Sequence, residues 1–244
     1  RQMRAVWPVL RGRWLYLAAM GGLGFSVFNL LFYISAHHTA AVNIGILQGA
    51  IPIIVVLGAF ALHGTRITGQ QVFGVIVGLT GVLTVALRGV PTGLSDLSLN
   101  SGDVLMASAC VLYAGYTLGL KSRPAVPGIV LFCYFSIFGA ALSLPFAVAE
   151  WWSGSIIWPT GRGWLVISYV TVFPSFLSQI FFLRSVDLIG PGRSGVFVNL
   201  TPIFSALLAV ALLGEIFRAY HGVALALVVL GLWWARDPGT ARRG

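Results

Sequence analysis

Eight long apolar runs, separated by short breaks rich in glycine, proline and charge, leave this sequence few folds to choose from. They fall at residues 13–36, 41–63, 70–87, 103–120, 128–150, 163–186, 191–214 and 219–236. A helix crossing the hydrocarbon of a bilayer needs about 20 mostly apolar residues, and its backbone polar groups must pair within the segment because lipid offers no partners. Each run approaches that length. With 58% of its residues hydrophobic and 9% charged, the chain could not clothe itself in a surface fit for water. The expected fold is an all-α integral membrane bundle of about eight transmembrane helices, with the lipid bilayer as solvent.

The longest polar break, GVPTGLSDLSLNSG at 89–102, divides the chain into a first segment at 1–90, a linker at 91–102, a second segment at 103–236 and a tail at 237–244. The net charge of +9 raises the question of nucleic acid. The basic residues form neither an aromatic-interleaved run nor a basic helix face, so no nucleic-acid partner is expected. They report topology instead. If the loops alternate and the chain begins in the cytoplasm, Arg1, Arg4, Arg11, Arg13, Arg66, Lys121, Arg123, Arg184, Arg193, Arg236, Arg242 and Arg243 lie inside. Only Arg88, Arg162 and Arg218 lie outside, a strong positive-inside bias that also puts the C-terminus in the cytoplasm of a bacterial inner membrane. Trp151, Trp152, Trp158 and Trp164 gather where an interfacial aromatic belt belongs.

Sliding the chain against itself by 150 residues pairs Phe32 with Phe182, Ser35 with Ser185, Gly45 with Gly195, Pro52 with Pro202 and Gly64 with Gly214. Ile53, Leu57, Ala59, Ala61 and Leu62 find identical partners at the same offset. By the charge assignment the two copies cross the membrane in opposite senses, so this is an inverted repeat. Inverted repeats are characteristic of secondary transporters, whose halves rock around a site near the bilayer midplane. The second copy holds five helices and the first only its last three, which points to a ten-helix parent lacking its first two helices here.

The segment NLTP at 199–202, the LLGE ending at 212–215, Gly222 and Gly231, with Pro52, Gly64 and the GVIVGLTG run at 74–81, resemble the EamA-like branch of the drug/metabolite transporter superfamily. The resemblance implies ten helices, both termini in the cytoplasm, and export or exchange of amino acids, related metabolites or drugs; no cofactor is expected. One departure stands out: Thr65 follows Gly64 where the family usually carries an acid.

Polar side chains in mid-membrane are costly, and they usually face the bundle interior or a water-filled cavity. Asn29 and Gln179 occupy equivalent depths on equivalent helices. Gln48, Asn199 and Ser205 lie close to the two intramembrane prolines, and Tyr33, Tyr113 and Tyr116 offer apolar faces with a hydroxyl suited to an aromatic or aliphatic solute. All eight are candidate substrate-binding residues, with interhelical hydrogen bonding or packing as the alternative for each. Pro52 and Pro202 are expected to kink their helices. The GxxxG pairs Gly74 with Gly78 and Gly115 with Gly119 suit packing within the bundle, a homodimer contact being the alternative. Glu215, at a helix end, reads as a surface anchor or cap partner in preference to a proton carrier. No carboxylate falls in mid-helix to bind a coupling proton, and Cys110 and Cys133 read as packing residues.

No enzyme signature is present: neither paired mid-helix aspartates, nor a metal-binding histidine motif, nor a phosphate loop. The function expected is secondary transport of a small organic solute by alternating access, in the export direction. A nucleotide-sugar or other metabolite exchanger would want more basic groups in its cavity, and a non-transporting scaffold would not need the repeat.

Overall fold

The computed structural model describes residues 2–65, 67–87, 100–189 and 200–235. Among these residues the regular structure is helical. The helices are α1 (Gln2–Leu10), α2 (Trp14–Gly21), α3 (Val27–Ala36), α4 (Ala41–Gln48), α5 (Ala50–His63), α6 (Gly69–Ala86), α7 (Ser101–Gly119), α8 (Gly128–Trp152), α9 (Gly161–Val170), α10 (Ser178–Ile189), α11 (Thr201–Leu213) and α12 (Ala219–Ala235). Six apolar helical runs are long enough to cross a bilayer: Val6–Ala36, Ala41–Leu62, Gly69–Ala86, Ser101–Ser122, Gly128–Trp152 and Gly161–Phe182. Two shorter apolar helices, α11 and α12, complete the expected set, with part of the run expected at 191–214 lying outside the described residues. Side chains such as Leu165, Trp158 and Leu212 are 72%, 73% and 75% exposed. An outer surface this apolar is stable only where lipid covers it.

The repeat is written into local geometry. Gly64 ends α5 and Gly214 ends α11 in the left-handed region, at φ 60° and 67°. At the first end the Gly64 N–H bonds the Phe60 carbonyl and the Thr65 N–H bonds the Ala59 carbonyl. The second end repeats both bonds 150 residues on, Gly214 to Val210 and Glu215 to Ala209. A Cβ at φ near +60° crowds the following carbonyl, so glycine is the residue for both stops. Short π-helical stretches also correspond, Gly22–Ser26 with Thr171–Leu177. In the second, Pro174 has no N–H for the Val170 carbonyl, and Ser175 Oγ donates to that carbonyl instead at 2.9 Å.

Three differences from the sequence reading have physical causes. The chain is already helical over Gln2–Leu10, because Leu10 is fully buried and the Trp7 ring stacks on Tyr134 at 5.7 Å. Helix α7 starts at Ser101 rather than Asp103, since Asn100 Oδ1 accepts from the Gly102 N–H and so caps the first turn. The run expected as one helix at 41–63 is two, broken at Gly49. Pro52 cannot donate to the Gln48 carbonyl, and the Gly49 N–H turns back to Ile46 at 3.0 Å.

The chain divides into two compact units that interleave the sequence, Arg1–Ser26 with Pro124–Gly195, and Val27–Arg123 with Val196–Gly244. In the first, α2 and the π stretch after it lie on α8. A Cβ on Gly21 would come within 2.7 Å of the Phe135 carbonyl oxygen, and Ser26 and Ser143 share a hydrogen bond of 2.8 Å. The second unit has a core of fully buried Val42, Ile46, Ile53, Val85, Met106, Ala109, Cys110, Ala224 and Val228. Cys110 Sγ donates to the Leu47 carbonyl at 3.5 Å beside the break in α4, a packing role.

Within the second unit, α6 packs on its repeat mate α12. A Cβ on Gly74 would lie 2.7 Å from the Gly231 carbonyl oxygen, and one on Gly81 would lie 2.8 Å from that of Ala224. Residue 224 is 74 + 150 and residue 231 is 81 + 150, so the two contacts exchange under the repeat. Rising numbers on one helix meet falling numbers on the other, which makes the mates antiparallel about a local twofold. The inverted topology expected from charge is thus realised in packing. Gly74 and Gly78 are spent within the chain, whereas the space about Gly115 is open.

Glu215 acts as a cap. Its two carboxylate oxygens accept the N–H groups of Ala41 and Val42, at 2.7 and 2.9 Å, at the start of α4 where no side chain of that helix's own cap residue serves. The substitution at Thr65 then makes sense. The repeat mate of Ala41 is Pro191, which has no N–H, and the mate of Glu215 is Thr65, which has no carboxylate. One of the two donors is thus missing together with the acceptor, Gly192 keeping the other, and Thr65 Oγ1 instead bonds the Ala59 carbonyl at 3.0 Å.

Candidate functional site

The candidate residues on α3 and α7 converge in the second unit. Residues four apart on a helix share a face, as do residues three apart, so Phe28 and Phe32 align on α3, Asn29 and Tyr33 beside them, and Tyr113 and Tyr116 on α7. The rings form a continuous row. Tyr116 lies 5.4 Å from Tyr113, Tyr113 4.8 Å from Phe28, Phe28 6.1 Å from Phe32, and Phe32 5.4 Å from Tyr33, centroid to centroid. Those separations and the tilted or edge-on planes are the ones aromatic quadrupoles favour. Every ring but Tyr33 is half-buried; Tyr33 is 52% exposed.

None of the row carries a charge, and its polar groups are three phenolic hydroxyls with the half-buried Asn29 amide alongside. Such a wall offers dispersion and stacking over a large area and a few directional hydrogen bonds, the composition of a site for an apolar or aromatic solute. Among the described residues, no group of three His, Cys, Asp or Glu side chains is placed to hold a metal ion.

The other candidates are distributed differently. Gln48 is the last residue of α4, half-buried, directly before the Gly49 break. Ser205, on α11, packs against Gly45: a Cβ on that glycine would collide with the serine side chain. Pro202 packs likewise on Gly49, and it opens α11 in its first turn. These small residues let α4 and α11 cross closely. Pro52 lies half-buried in the first turn of α5, just past the break. Gln179 is half-buried on α10, in the first unit, and Asn199 lies outside the described residues.

Phe28 and Phe32 were not singled out as binding residues in the sequence. Their signal is the four-residue spacing beside Asn29 and Tyr33, which marks one helix face. Both also pack against the hydrophobic core of the unit, and the tertiary contact with Tyr113 is what joins them to the candidate row.

The family model described as EamA-like transporter family matches residues 3–87 and 100–236. The chain is 25% identical over 211 residues to the uncharacterized transporter YetK of Bacillus subtilis, covering 86% of this chain and 64% of that protein. It is 28% identical over 238 residues to the aromatic amino acid exporter YddG of Ancylobacter novellus, covering 94% of this chain and 76% of that one. It is 26% identical over 217 residues to the uncharacterized inner membrane transporter YicL of Salmonella typhimurium, with coverages of 88% and 70%. The chain thus spans from 64% to 76% of the length of these relatives.

Proposed function

The chain belongs to the EamA-like transporter family, and we propose that it carries a small organic solute, an aromatic or aliphatic amino acid, outward across a bacterial inner membrane by alternating access. The observation that carries this reading is the antiparallel packing of α6 on its repeat mate α12 through exchanged glycine contacts. Two repeat-related halves of opposite sense have two equivalent packings, and switching between them opens a shared site to one side and then the other.

The aromatic row supports the substrate class. Its rings suit an apolar side chain, and they present no charge to an anionic nucleotide sugar. The exporter relative named for aromatic amino acids points the same way. Asn29, Gln48, Gln179, Asn199 and Ser205 are proposed as the polar part of the path, with Tyr33, Tyr113 and Tyr116. The positive-inside count supports a cytoplasmic C-terminus, and the open face at Gly115 is where a second copy would pack if the protein dimerises.

The test is efflux. Cells overproducing the full-length protein should survive toxic analogues such as p-fluorophenylalanine, and proteoliposomes should release preloaded L-phenylalanine faster than empty liposomes. Failure to move any of the common L-amino acids or their toxic analogues, with the protein folded and inserted, overturns the proposal.

A further inference from the structure

A polar cleft of about 650 Å³ opens in the second unit, where the turn between α3 and α4 meets the starts of α7 and α12. Its walls include His37, His38, Thr39, Asn43, Asn100 and Arg218. The volume falls within the about 300–1,000 Å³ typical of small-molecule sites.

One hydrogen-bond chain fixes what the wall presents. Thr39 Oγ1 donates to Asp103 Oδ1 at 2.6 Å, since a carboxylate can only accept. With its proton committed, the Thr39 oxygen is left to accept, and it takes the Asn43 Nδ2–H at 3.1 Å. The amide of Asn43 therefore has its nitrogen turned to Thr39 and its oxygen turned away. That oxygen, Oδ1, is buried without a hydrogen-bond partner, and so is Asp103 Oδ2; the two residues are only 6% and 4% exposed. Buried acceptors are normally satisfied, because leaving one bare costs its desolvation. Gly102 permits the arrangement: a Cβ there would strike His38 and Thr39, so glycine lets the turn lie directly on the start of α7.

Groups of the opposite polarity belong to the same lining. Arg218 brings a guanidinium and His37 and His38 bring imidazoles. The helix terminus beside them cannot add to the pull on an anion, because Glu215 already holds the Ala41 and Val42 N–H groups. An unpartnered amide acceptor on Asn43, tied through Thr39 to the Asp103 carboxylate, and the Arg218 guanidinium in one cleft lining match a molecule bearing an ammonium and a carboxylate together.

We propose that this cleft binds a zwitterionic amino acid at the outer mouth of the transporter, its ammonium group on Asn43 Oδ1 before the Asp103 carboxylate and its carboxylate on Arg218 with His37 and His38. The side chain projects into the open part of the cleft, so this site reads the backbone groups of the solute and leaves side-chain selection to the aromatic row. It rests on the transport reading for its substrate class. It also gives a role to Arg218, one of the three basic residues on the outer side in the charge assignment.

The test uses the full-length protein in cells with a cysteine placed at Ala40, an exposed residue of the cleft wall, and a membrane-impermeant maleimide added outside. An L-amino acid supplied at ten times its dissociation constant should slow labelling about tenfold. L-Phenylalanine and L-leucine are the first probes; phenethylamine and 3-phenylpropanoate, each lacking one of the two charges, should protect far less at equal concentration. Asn43→Ala and, at an exposed position that leaves the core untouched, Arg218→Gln should each abolish protection. Protection by none of the common L-amino acids, equal protection by the single-charge analogues, or protection that survives Arg218→Gln overturns the site. Efflux is scored in parallel. Efflux without protection leaves the transport reading standing and sinks the cleft, and protection without efflux does the reverse.

Discussion

Replacing Glu215 tests how the two repeats hold each other. Its carboxylate bonds the Ala41 and Val42 N–H groups at 2.7 and 2.9 Å across 174 and 173 residues of chain. A hydrogen bond to a charged group contributes about 1.5–3 kcal/mol. Glu215→Ala forfeits two of them, but Ala41 is only half-buried, and water reaching its freed N–H moves the loss toward the about 0.5–2 kcal/mol of an ordinary helix cap. We expect a net destabilisation of about 2–3 kcal/mol, between these limits. Glu215→Gln keeps one acceptor and loses the attraction of a full charge for the helix dipole, so about half that effect is expected. Equilibrium unfolding in mixed micelles measures the global loss. Amide hydrogen exchange measures the local one, where Ala41 and Val42 should exchange about 30–140-fold faster, at tenfold per 1.4 kcal/mol. If Glu215→Ala unfolds within about 0.5 kcal/mol of the parent, the spread of an ordinary surface substitution, and those amides keep their exchange rates, the cap contributes nothing and the reasoning fails.

Gly231→Leu should prevent folding or cost well over the about 1–3 kcal/mol of a routine overpacked core, because even a Cβ there meets the Gly78 backbone, whereas Gly115→Leu, in open space, should shift stability by less than about 0.5 kcal/mol; thermal unfolding in nanodiscs compares them. Tyr113→Ala removes the ring that joins α7 to Phe28 and should raise the apparent KM for an aromatic solute about tenfold, with Tyr33→Ala doing less because Tyr33 meets the row only at its end. Asn29→Ala and Gln179→Ala should each lower transport while insertion and folding hold; wild-type rates for both would remove them from the path. Cysteines placed at the exposed Leu62 and Leu212 should label from opposite faces of the membrane. Labelling from one face would dissolve the inverted repeat.

Sequence alone determined the solvent, the apolar membrane-crossing runs and the duplication. Apolar length and charge asymmetry are one-dimensional properties, fixed by a bilayer of set thickness and an inside that prefers Lys and Arg. The pairs Gly64 with Gly214 and Pro52 with Pro202 were equally legible, because a left-handed helix stop and a missing N–H are backbone demands that specific residues meet. The tertiary structure decided everything that depends on which faces meet. It spent Gly74 and Gly78 on α12, seated Ser205 on Gly45, and joined Phe28 and Phe32 to Tyr113. It also explained Thr65, whose lost acid means nothing until Glu215 is seen holding Ala41 and Val42. In a helix every hydrophobic stripe looks alike along the chain, since lipid and protein are similarly apolar neighbours. What separates a lipid face from a packing face or a binding wall is the chain lying opposite, and a single sequence does not print that.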